Sequence, residues 1–442
     1  MRPLKSLSLK TIIKKLAAAL RRMPDARVPE RVRYGLHDTL LSGLAMFFFQ
    51  HRSLLQFQER MKQRLGRCNL ETIFQVRAVP SDTQMRTILD EAEPDPLRRQ
   101  LAGLFEDMRR AGWAEQYRTS VPDGRDAGSY YTCVLDGGQY FNSTNVQCER
   151  CLTKTNKKTG TVQYAHSVVS GTLVKAGTQR IFPLDVEEIC QQDGVTKQDC
   201  EINAAKRLLP RLRREHPHLK VIIAGDDLYA HEPLVQLLGE LRMRFVLVAK
   251  PASHQELFTW VEELEELGAV EHGTWEEGPL CKRRYFEYRF ATQLPLKAGG
   301  QAAVNFVEVW ERNQAGQVVY HNSWVTDLEV THTNVAVIIQ IGRSRWKIEN
   351  EQFNIQKNHG YELEHNYGHG EKHLSLVFYL LNLLAFAVHL ILAAGDRLYQ
   401  QCRQQETLQE TWHILRTLLR TELFVSWEAL LTKFIVTGQR GP

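Results

Sequence analysis

The sequence predicts an α/β fold, in which a mixed sheet is flanked by helices and carries a β-rich insertion. Three observations lead to this prediction. Helical periodicity dominates residues 1–125, and strand-forming residues, which begin near residue 129, then alternate with helical segments. A second group of strand candidates lies between residues 251 and 330, before the helical pattern returns. The chain is therefore expected to hold a helical N-terminal region and a sheet that is interrupted by an insertion.

The length and charge of the chain limit the classes of protein to consider. With 442 residues, of which 43% are hydrophobic, the chain is long enough for two or three globular domains. Residues 1–70 hold 15 lysine and arginine residues against 4 aspartate and glutamate residues, a net charge of +11. A basic end on a nearly neutral body suggests a polyanionic partner, either nucleic acid or an anionic membrane surface.

The apolar segments and the cysteines indicate the compartment. The first 22 residues place lysines at helical spacing among apolar residues, which predicts an amphipathic helix and not a signal peptide. Residues 374–394 carry no formal charge, and a buried core helix is favoured there over a membrane span. The 8 cysteines are irregularly spaced, which is typical of a reducing compartment. We therefore expect a cytoplasmic protein with no membrane partner.

Changes in composition divide the chain into five predicted regions. Basic helical faces in the first region favour contact with DNA, although solvated helical faces have the same composition. The regions are a helical DNA-binding region at 1–125, the first part of the core at 126–250, a β-rich insertion at 251–330, the second part of the core with its catalytic helix at 331–395, and a helical C-terminal tail at 396–442.

The first part of the core has a definite order of elements. Three strand candidates, at 130–135, 162–173 and 181–186, are followed by helix, strand, helix and strand. The first strand is expected to end on a turn at Asp136, and the fourth is expected to end just before Asp226. This order predicts a ribonuclease H-like sheet, and open sheets of that kind carry their sites at strand ends.

Two further details of the core concern single residues. The helix after the third strand is predicted over 199–215, broken or bent at Pro210. Asp227 directly follows Asp226 and could compete with it for the role at the strand end.

The stretch 342–370 contains no proline and is predicted to begin with a helix. On an α-helix, Arg345, Glu349, Gln352 and Gln356 would form one polar stripe, and Trp346 and Phe353 an apolar stripe beside it. This pattern predicts a helix that docks through its aromatic residues and presents a carboxylate and a guanidinium group. An ordinary amphipathic helix explains the same pattern.

Three carboxylates, Asp136, Asp226 and Glu349, stand at the positions where chemistry is expected. The two aspartates would end neighbouring strands, and the glutamate helix could pack across them. Mg²⁺ takes oxygen ligands and commonly uses a few carboxylates, water and phosphate oxygens. Two such ions activate an attacking oxygen and stabilise a leaving one in phosphoryl transfer. The pattern therefore favours metal-dependent phosphoryl transfer.

The same residues carry a family resemblance. Residues 345–349 (RWKIE), with Phe353 and Lys357, are similar to the signature around the catalytic glutamate of DDE transposases of bacterial insertion sequences, in particular the insertion-sequence-four group. The segments around Asp136 and Asp226 resemble the two aspartate motifs of that group. The 122 residues between Asp226 and Glu349 suit the β-strand insertion typical of the group. The resemblance covers residues 130–395, and the Gly-Asp-x-Leu-Tyr-Ala pattern favours Asp226 over Asp227.

The chain departs from the family signature at two positions. Gly342 stands where the family has a tyrosine, and Gln356 stands where the family has a lysine, with Lys357 one residue later. A one-residue insertion between Glu349 and Phe353 would restore the family spacing from Phe353 to Lys357.

The resemblance implies metal-dependent cutting of DNA at transposon ends and strand transfer into a target. Asp136, Asp226 and Glu349 would be the catalytic residues and would hold Mg²⁺, for which Mn²⁺ could substitute, while Arg345 and Lys357 would contact phosphates. The implied partners are terminal inverted repeats, target DNA and a second copy of the chain in the DNA complex. Two alternatives stay open: a metal-dependent nuclease without strand transfer, and a domesticated DNA-binding protein that keeps the fold.

The remaining motifs have competing interpretations. Cys148 and Cys151 are half of a zinc site by spacing, or ordinary reduced thiols. Trp324 and Trp346 are expected in the core, although either could stack on an unpaired base.

Four histidines follow the glutamate helix and also suggest a metal site. Glycines lie between them, so a loop near DNA or a hydrogen-bonded cap is favoured over metal binding. These histidines are His359, His365, His369 and His373.

Overall fold

The computed structural model of this chain describes residues 7–190 and 200–438. The α-helices of these residues are α1 Leu9–Leu20, α2 Leu36–Phe48, α3 Leu54–Lys62, α4 Arg64–Phe74, α5 Asp82–Asp90, α6 Asp95–Arg110, α7 Glu201–Glu215, α8 Glu232–Glu240, α9 Gln255–Glu266, α10 Val335–Arg343, α11 Asn354–Asn358, α12 Leu374–Gly395, α13 Arg397–Gln405, α14 Leu408–Thr421 and α15 Trp427–Gly438. The strands are β1 Arg118–Val121, β2 Gly128–Ser143, β3 Leu152–Thr155, β4 Val162–Val174, β5 Ile181–Ile189, β6 Val221–Gly225, β7 Arg244–Val248, β8 Glu271–Glu277, β9 Arg284–Pro295, β10 Ala303–Arg312 and β11 Val318–Thr326.

All eleven strands of the described residues belong to one mixed sheet, which confirms the predicted α/β class. The strand order is β3-β4-β2-β6-β7-β11-β10-β9-β8, with β5 paired to β4 and β1 paired to β2. Strand β4 is antiparallel to both β2 and β5, whereas β6 is parallel to β2 and β7 is parallel to β6. The buried pattern of β6 and β7 explains their apolar sequences, because parallel strands are covered on both faces.

The region 251–330 extends the sheet. Strand β11 pairs antiparallel with β7, and β10, β9 and β8 follow in antiparallel order. The insertion therefore continues the core sheet through hydrogen bonds, beyond the strand that follows the second aspartate.

The N-terminal and C-terminal helices pack together around α12. Helix α12 contacts α2 and α6, and the Asn69 side chain donates hydrogen bonds of 2.8 Å to the carbonyl oxygens of Leu419 and Glu422. In the part of the chain that the structure describes, only α12 is long and apolar enough to cross a membrane, and 89% of its most apolar window is buried inside the protein. The burial agrees with the predicted core helix.

The structure corrects the prediction for the first strand. Strand β2 does not end on a turn at Asp136 but continues to Ser143, and Gly137 and Gly138 pair with Val169 and Val168 of β4. The Asp-Gly-Gly sequence has the composition of a turn, yet glycine without a side chain also fits where another element approaches a strand closely.

The helix after the third strand differs from its prediction in one respect. Helix α7 contains Pro210 within its continuous span, and the predicted helix start at residue 199 lies outside the described residues.

Burial of His389 on α12 predicts a pH dependence of stability. Burial lowers the pKa of His389 from 6.5 to about 3, so the folded protein holds this imidazole neutral. The unfolded chain binds a proton below about pH 6.5, so the free energy of unfolding should fall as the pH drops toward 3, by up to about 1.4 kcal/mol per pH unit. We expect the substitution His389→Gln to flatten the pH dependence of urea denaturation by that amount. The exposed His413 supplies the control, because His413→Gln should keep the wild-type slope; a wild-type slope in His389→Gln would contradict the prediction.

Candidate active site

Asp136 and Asp226 lie at the same level of the sheet. The parallel pairing of β2 with β6 ends at Val134 opposite Ala224, and each aspartate comes two residues after this last pair. Where the pairing of two adjacent parallel strands ends, the residues that directly follow the last pair lie close together. The two aspartates are therefore neighbours at one edge of the β2–β6 pair.

The glutamate helix, which we define as the π-helical segment Ile348–Phe353 followed by α11, crosses β2 beside Asp136. Phe353 is buried and packs directly on Gly138, where a Cβ atom would lie 2.3 Å from the phenyl ring. Glycine at this position thus permits the close approach of the helix. Glu349 is exposed on the helix, and its negative charge contributes to raising the pKa of Asp136.

The π-helical segment has a direct bearing on the register of the motif. A π turn closes its hydrogen bond over five residues, and an α turn over four, so a π turn holds one additional residue. The segment Ile348–Phe353 includes the interval from Glu349 to Phe353, in which the suggested resemblance would need a one-residue insertion. The additional residue brings Lys357 to the place that the seventh residue after Glu349 would take on a regular α-helix.

The π turn also explains why the predicted polar and apolar stripes are partly wrong. Gln352 and Gln356 are fully buried, and the Gln356 amide donates to Asn382 Oδ1. Trp346, which was expected to dock the helix, is 44% exposed, with the Lys347 ammonium 4.5 Å from its ring centre. Residues on either side of a π turn no longer point in the directions that a regular α-helix predicts. The predicted core packing of Trp346 is wrong. Trp324 is fully buried, as expected.

The positive charge of Arg345 acts on both aspartates. Its guanidinium nitrogen is 3.7 Å from Asp136 Oδ2, and its charge lowers the pKa of both Asp136 and Asp226. Burial nevertheless raises the pKa of Asp136 to about 6, with help from the negative charges of Glu201 and Glu349. Burial also acts to raise the pKa of Asp226, but the Asp227 N–H, Arg345 and Lys250 outweigh it and the pKa is lowered. The site thus combines concentrated negative charge with two cations, Arg345 and Lys250.

Three residues of this cluster were missed in the sequence. Glu201, the first residue of α7, lies against Gly137, where a Cβ atom would be 2.4 Å from its carboxyl group. Tyr229 donates a hydrogen bond of 3.3 Å to Glu201, and Lys250 lies 3.4 Å from Asp226. Burial, followed by the charge of Asp226, raises the pKa of Glu201 even though the Tyr229 hydroxyl opposes this. An acidic residue at the start of a helix is common, so spacing alone could not identify Glu201.

The neighbouring acids Asp226 and Asp227 have different environments. The Asp227 carboxylate is buried, accepts a hydrogen bond of 2.7 Å from the Lys250 backbone N–H and accepts another from the Ser253 hydroxyl. The Asp226 side chain is 37% exposed and caps the short turn Asp227–Tyr229. Asp227 therefore fixes the loop after β7 through hydrogen bonds, whereas Asp226 faces the site.

Gly342, the other departure from the family signature, lies against Trp324. A Cβ atom at Gly342 would be 2.4 Å from the indole nitrogen of Trp324, which is buried and has no hydrogen-bond partner. The tyrosine of the signature would therefore collide with Trp324, and glycine is required by the packing of α10 against β11.

The carboxylate oxygens of the cluster are the ligand type that Mg²⁺ prefers, and they come from Asp136, Asp226, Glu349 and Glu201. No three of these residues bring ligand atoms within 4.8 Å of one another in this structure, so the chemistry of the donors fits a hard divalent cation and their spacing does not. Lys357, on the same helix as Glu349, pairs with the exposed Glu364 at 2.8 Å and can exchange this partner for a phosphate group.

A basic cleft, defined by Arg52, Arg60, Arg416 and Arg420, lies between α3 and α14. Burial, followed by the charges of Arg60 and Arg52, lowers the pKa of Arg416 to about 10. Like charges that depress one another in this way favour an anion between them. The C-terminal helices thus contribute to a positive surface that the sequence assigned to residues 1–70 alone.

A second cluster of possible metal ligands combines one residue of β4 with residues of two loops. It consists of Cys148, Cys151, His166 and His369, whose ligand atoms all lie within 4.8 Å of one another. No other group of three or more such residues meets this distance limit among residues 7–190 and 200–438. His369 lies in a loop, as favoured for the four histidines, and its Nε2 atom lies 3.3 Å from the sulfur of Cys151.

The chain has an α/β fold with a mixed sheet, and its strand ends carry a cluster of carboxylates with two cations. The sequence matches no protein-family model and no curated protein. Inference of function therefore depends on the residues themselves.

Proposed function

We propose that this protein is a DDE transposase that cuts DNA at the ends of an insertion sequence and joins those ends to target DNA. One observation carries the proposal: Asp136 and Asp226 follow the point where the parallel pairing of β2 with β6 ends, and the helix with Glu349 packs on β2 at Gly138. The negative charge of Glu349 contributes, after burial, to raising the pKa of Asp136, which supports a single site for the three carboxylates.

The strand order supports a ribonuclease H-like core. Strands β5, β4 and β2 are antiparallel neighbours, and β6 and β7 extend the sheet in parallel to β2. This is the arrangement expected from three strands followed by helix, strand, helix and strand. The four strands β8 to β11 lie between Asp226 and Glu349 in the sequence. In the sheet they follow β7.

In the proposed reaction Asp136, Asp226 and Glu349 would hold Mg²⁺, with Mn²⁺ as a substitute. When bound, the metal ions supply activation of the attacking oxygen and stabilisation of the leaving oxygen. Arg345 and Lys357 would orient the DNA backbone, Arg345 through its planar fork and Lys357 as a point charge. Lys250, 3.4 Å from Asp226, is a further phosphate contact in this arrangement.

The test uses the full chain and a DNA duplex with the inverted repeats that flank its coding sequence. We expect Mg²⁺-dependent cleavage at the repeat end, inhibited by a chelator, and joining of pre-cleaved ends to a plasmid. Cleavage without joining would instead favour a nuclease, and binding of the repeats with neither reaction would favour a domesticated DNA-binding protein.

The basic cleft predicts a salt-dependent contribution to DNA affinity. Each phosphate neutralised by an arginine releases counterions, so the logarithm of the binding constant falls with the logarithm of salt concentration. We expect the double variant Arg60→Gln/Arg420→Gln to bind the repeat duplex more weakly and to reduce this slope by about 2, or about 1 per lost contact.

The control for the basic cleft is Arg109→Gln/Arg110→Gln. Both of these exposed arginines on α6 already pair with Glu106, so their loss should leave the salt slope unchanged. Equal slopes for wild type and the Arg60/Arg420 variant would remove the basic cleft from the DNA-binding surface. These point substitutions leave the fold intact, whereas deletion of residues 1–70 would remove α1 and α2, whose apolar residues belong to the buried core.

A further inference from the structure

The four residues of the cysteine–histidine cluster come from three separate parts of the fold. Cys148 and Cys151 lie between β2 and β3, and His166 lies on β4. His369 lies in the connecting segment, which we define as residues 359–373 between the glutamate helix and α12. Cys151, His166 and His369 are at most 8% exposed, while Cys148 is half-buried. Four soft or borderline ligands thus converge in an almost closed space.

The spacing of the ligand atoms is that of a tetrahedral zinc site. With Zn–S near 2.3 Å and Zn–N near 2.05 Å, a tetrahedron requires about 3.8 Å between sulfurs, about 3.6 Å between sulfur and nitrogen and about 3.4 Å between nitrogens. The two sulfurs are 3.9 Å apart and the two Nε2 atoms 3.1 Å apart. The sulfur–nitrogen distances are 3.5 Å for Cys148–His166, 3.5 Å for Cys151–His166 and 3.3 Å for Cys151–His369.

The Nδ1 atom of each imidazole faces an oxygen atom outside the cluster, as is usual for histidine ligands of metal ions. His369 Nδ1 donates to the Gly370 carbonyl oxygen at 2.9 Å, and His166 Nδ1 lies 3.3 Å from a carboxylate oxygen of the buried Glu188. Arg150 and the Tyr140 hydroxyl hold that carboxylate in turn. The Gly370 carbonyl oxygen places the proton of His369 on Nδ1, and the nearby Glu188 carboxylate favours the same position in His166, so each Nε2 atom can serve as the ligand.

We propose that Cys148, Cys151, His166 and His369 bind one structural zinc ion. All four positions come from the protein, so the site is closed and lacks the open position of a catalytic zinc. The ion joins the connecting segment to β4, the neighbour of the strand that carries Asp136. On the other side of this segment, the Asp90 carboxylate accepts the backbone N–H groups of residues 371–374. Zinc and Asp90 together hold the chain between the glutamate helix and α12, whatever reaction the protein performs.

Metal analysis of full-length protein, purified without chelator or histidine tag, tests the site directly. We expect about one zinc per chain, removal of zinc by a strong chelator with a lower melting temperature, and recovery of both on adding zinc. Replacement by Co²⁺ should give a thiolate charge-transfer band and the intense visible bands of tetrahedral cobalt. Protein that contains no zinc and takes up no cobalt, or that forms a Cys148–Cys151 disulfide instead, would overturn the proposal.

Substitutions then test the ligand set. Cys148→Ser and His369→Ala should lose zinc, and the exposed residues Cys281 and His359 provide the controls, because Cys281→Ser and His359→Gln should retain it. If a loss variant fails to fold, His369→Cys remains informative, since it keeps four ligands. It should retain the metal and strengthen the thiolate-to-cobalt band by about half, as three thiolates replace two. An unchanged cobalt spectrum in His369→Cys would exclude His369 as a ligand.

Discussion

Replacement of Glu349 by glutamine is expected to abolish DNA cleavage and strand transfer while the protein still binds DNA. The substitution keeps the size and hydrogen-bonding capacity of the side chain but removes a negative charge that would offset bound Mg²⁺. Metal-assisted charge stabilisation contributes several kcal/mol to the barrier, and about 1.4 kcal/mol is tenfold in rate, so we expect a loss of several powers of ten. The fold should persist, because Glu349 is exposed, Phe353 still anchors the helix on Gly138, and glutamine has a similar helix propensity.

The measurement for Glu349→Gln compares cleavage of a terminal-repeat duplex with a gel shift on the same DNA. Glu351→Gln is the matched control, since it makes the same chemical change on the same helical segment, two residues away. Near wild-type activity is expected in that control. A Glu349→Gln variant that binds and cuts at the wild-type rate would remove Glu349 from the active site and refute the three-carboxylate proposal.

The elements that were predicted best from the sequence are those with long runs of apolar residues, because such runs are buried in a folded protein. The apolar run of β6 and the charge-free stretch of α12 are buried as predicted, because few other environments accept such sequences. The strand through Asp136 was placed correctly at its start but not at its end. It continues because Gly137 and Gly138 pair with β4, and Glu201 and Phe353, which are far away in the chain, pack against these two glycines.

The residues of the proposed site could be chosen from the sequence as motifs, but their geometry could not. Asp226 and Asp227 are adjacent in sequence, and only the bonds of Asp227 to Lys250 and Ser253 separate their environments. The π-helical segment could be inferred only as one additional residue in the spacing after Glu349, because helix periodicity assumes a constant turn.

The histidine at position 369 shows a second limit of the sequence. It meets His166 across 203 positions of the chain, and the glycines around it indicate a loop without indicating what the loop contacts. A Cys-x-x-C pair thus predicted half of a cluster whose other half depends on tertiary structure.

The variants Asp226→Asn and Asp227→Asn are expected to differ strongly in cleavage activity and in the free energy of unfolding, although the two residues are adjacent. Asp226 is partly exposed, and Lys250 is its nearest cation, so Asp226→Asn should change the free energy of unfolding by no more than about 0.5 kcal/mol. Its cleavage activity should nevertheless fall by several powers of ten, because one of the proposed metal-binding charges is lost. Asp227 is buried and accepts two hydrogen bonds, one of which asparagine cannot retain, so Asp227→Asn should lower the free energy of unfolding by about 1–3 kcal/mol.

The two variants therefore serve as controls for each other. Urea denaturation measures stability, and Mg²⁺-dependent cleavage of the repeat duplex, assayed well below the unfolding transition, measures activity. Asp227→Asn should retain cleavage within about tenfold of wild type, a loss that displacement of the neighbouring loop and of Lys250 can explain. The opposite pattern, with an active Asp226→Asn and an inactive but stable Asp227→Asn, would transfer the catalytic role to Asp227. Full activity in both would exclude this strand end as the site of cleavage, because the charge at the end of β6 would then have no part in the reaction.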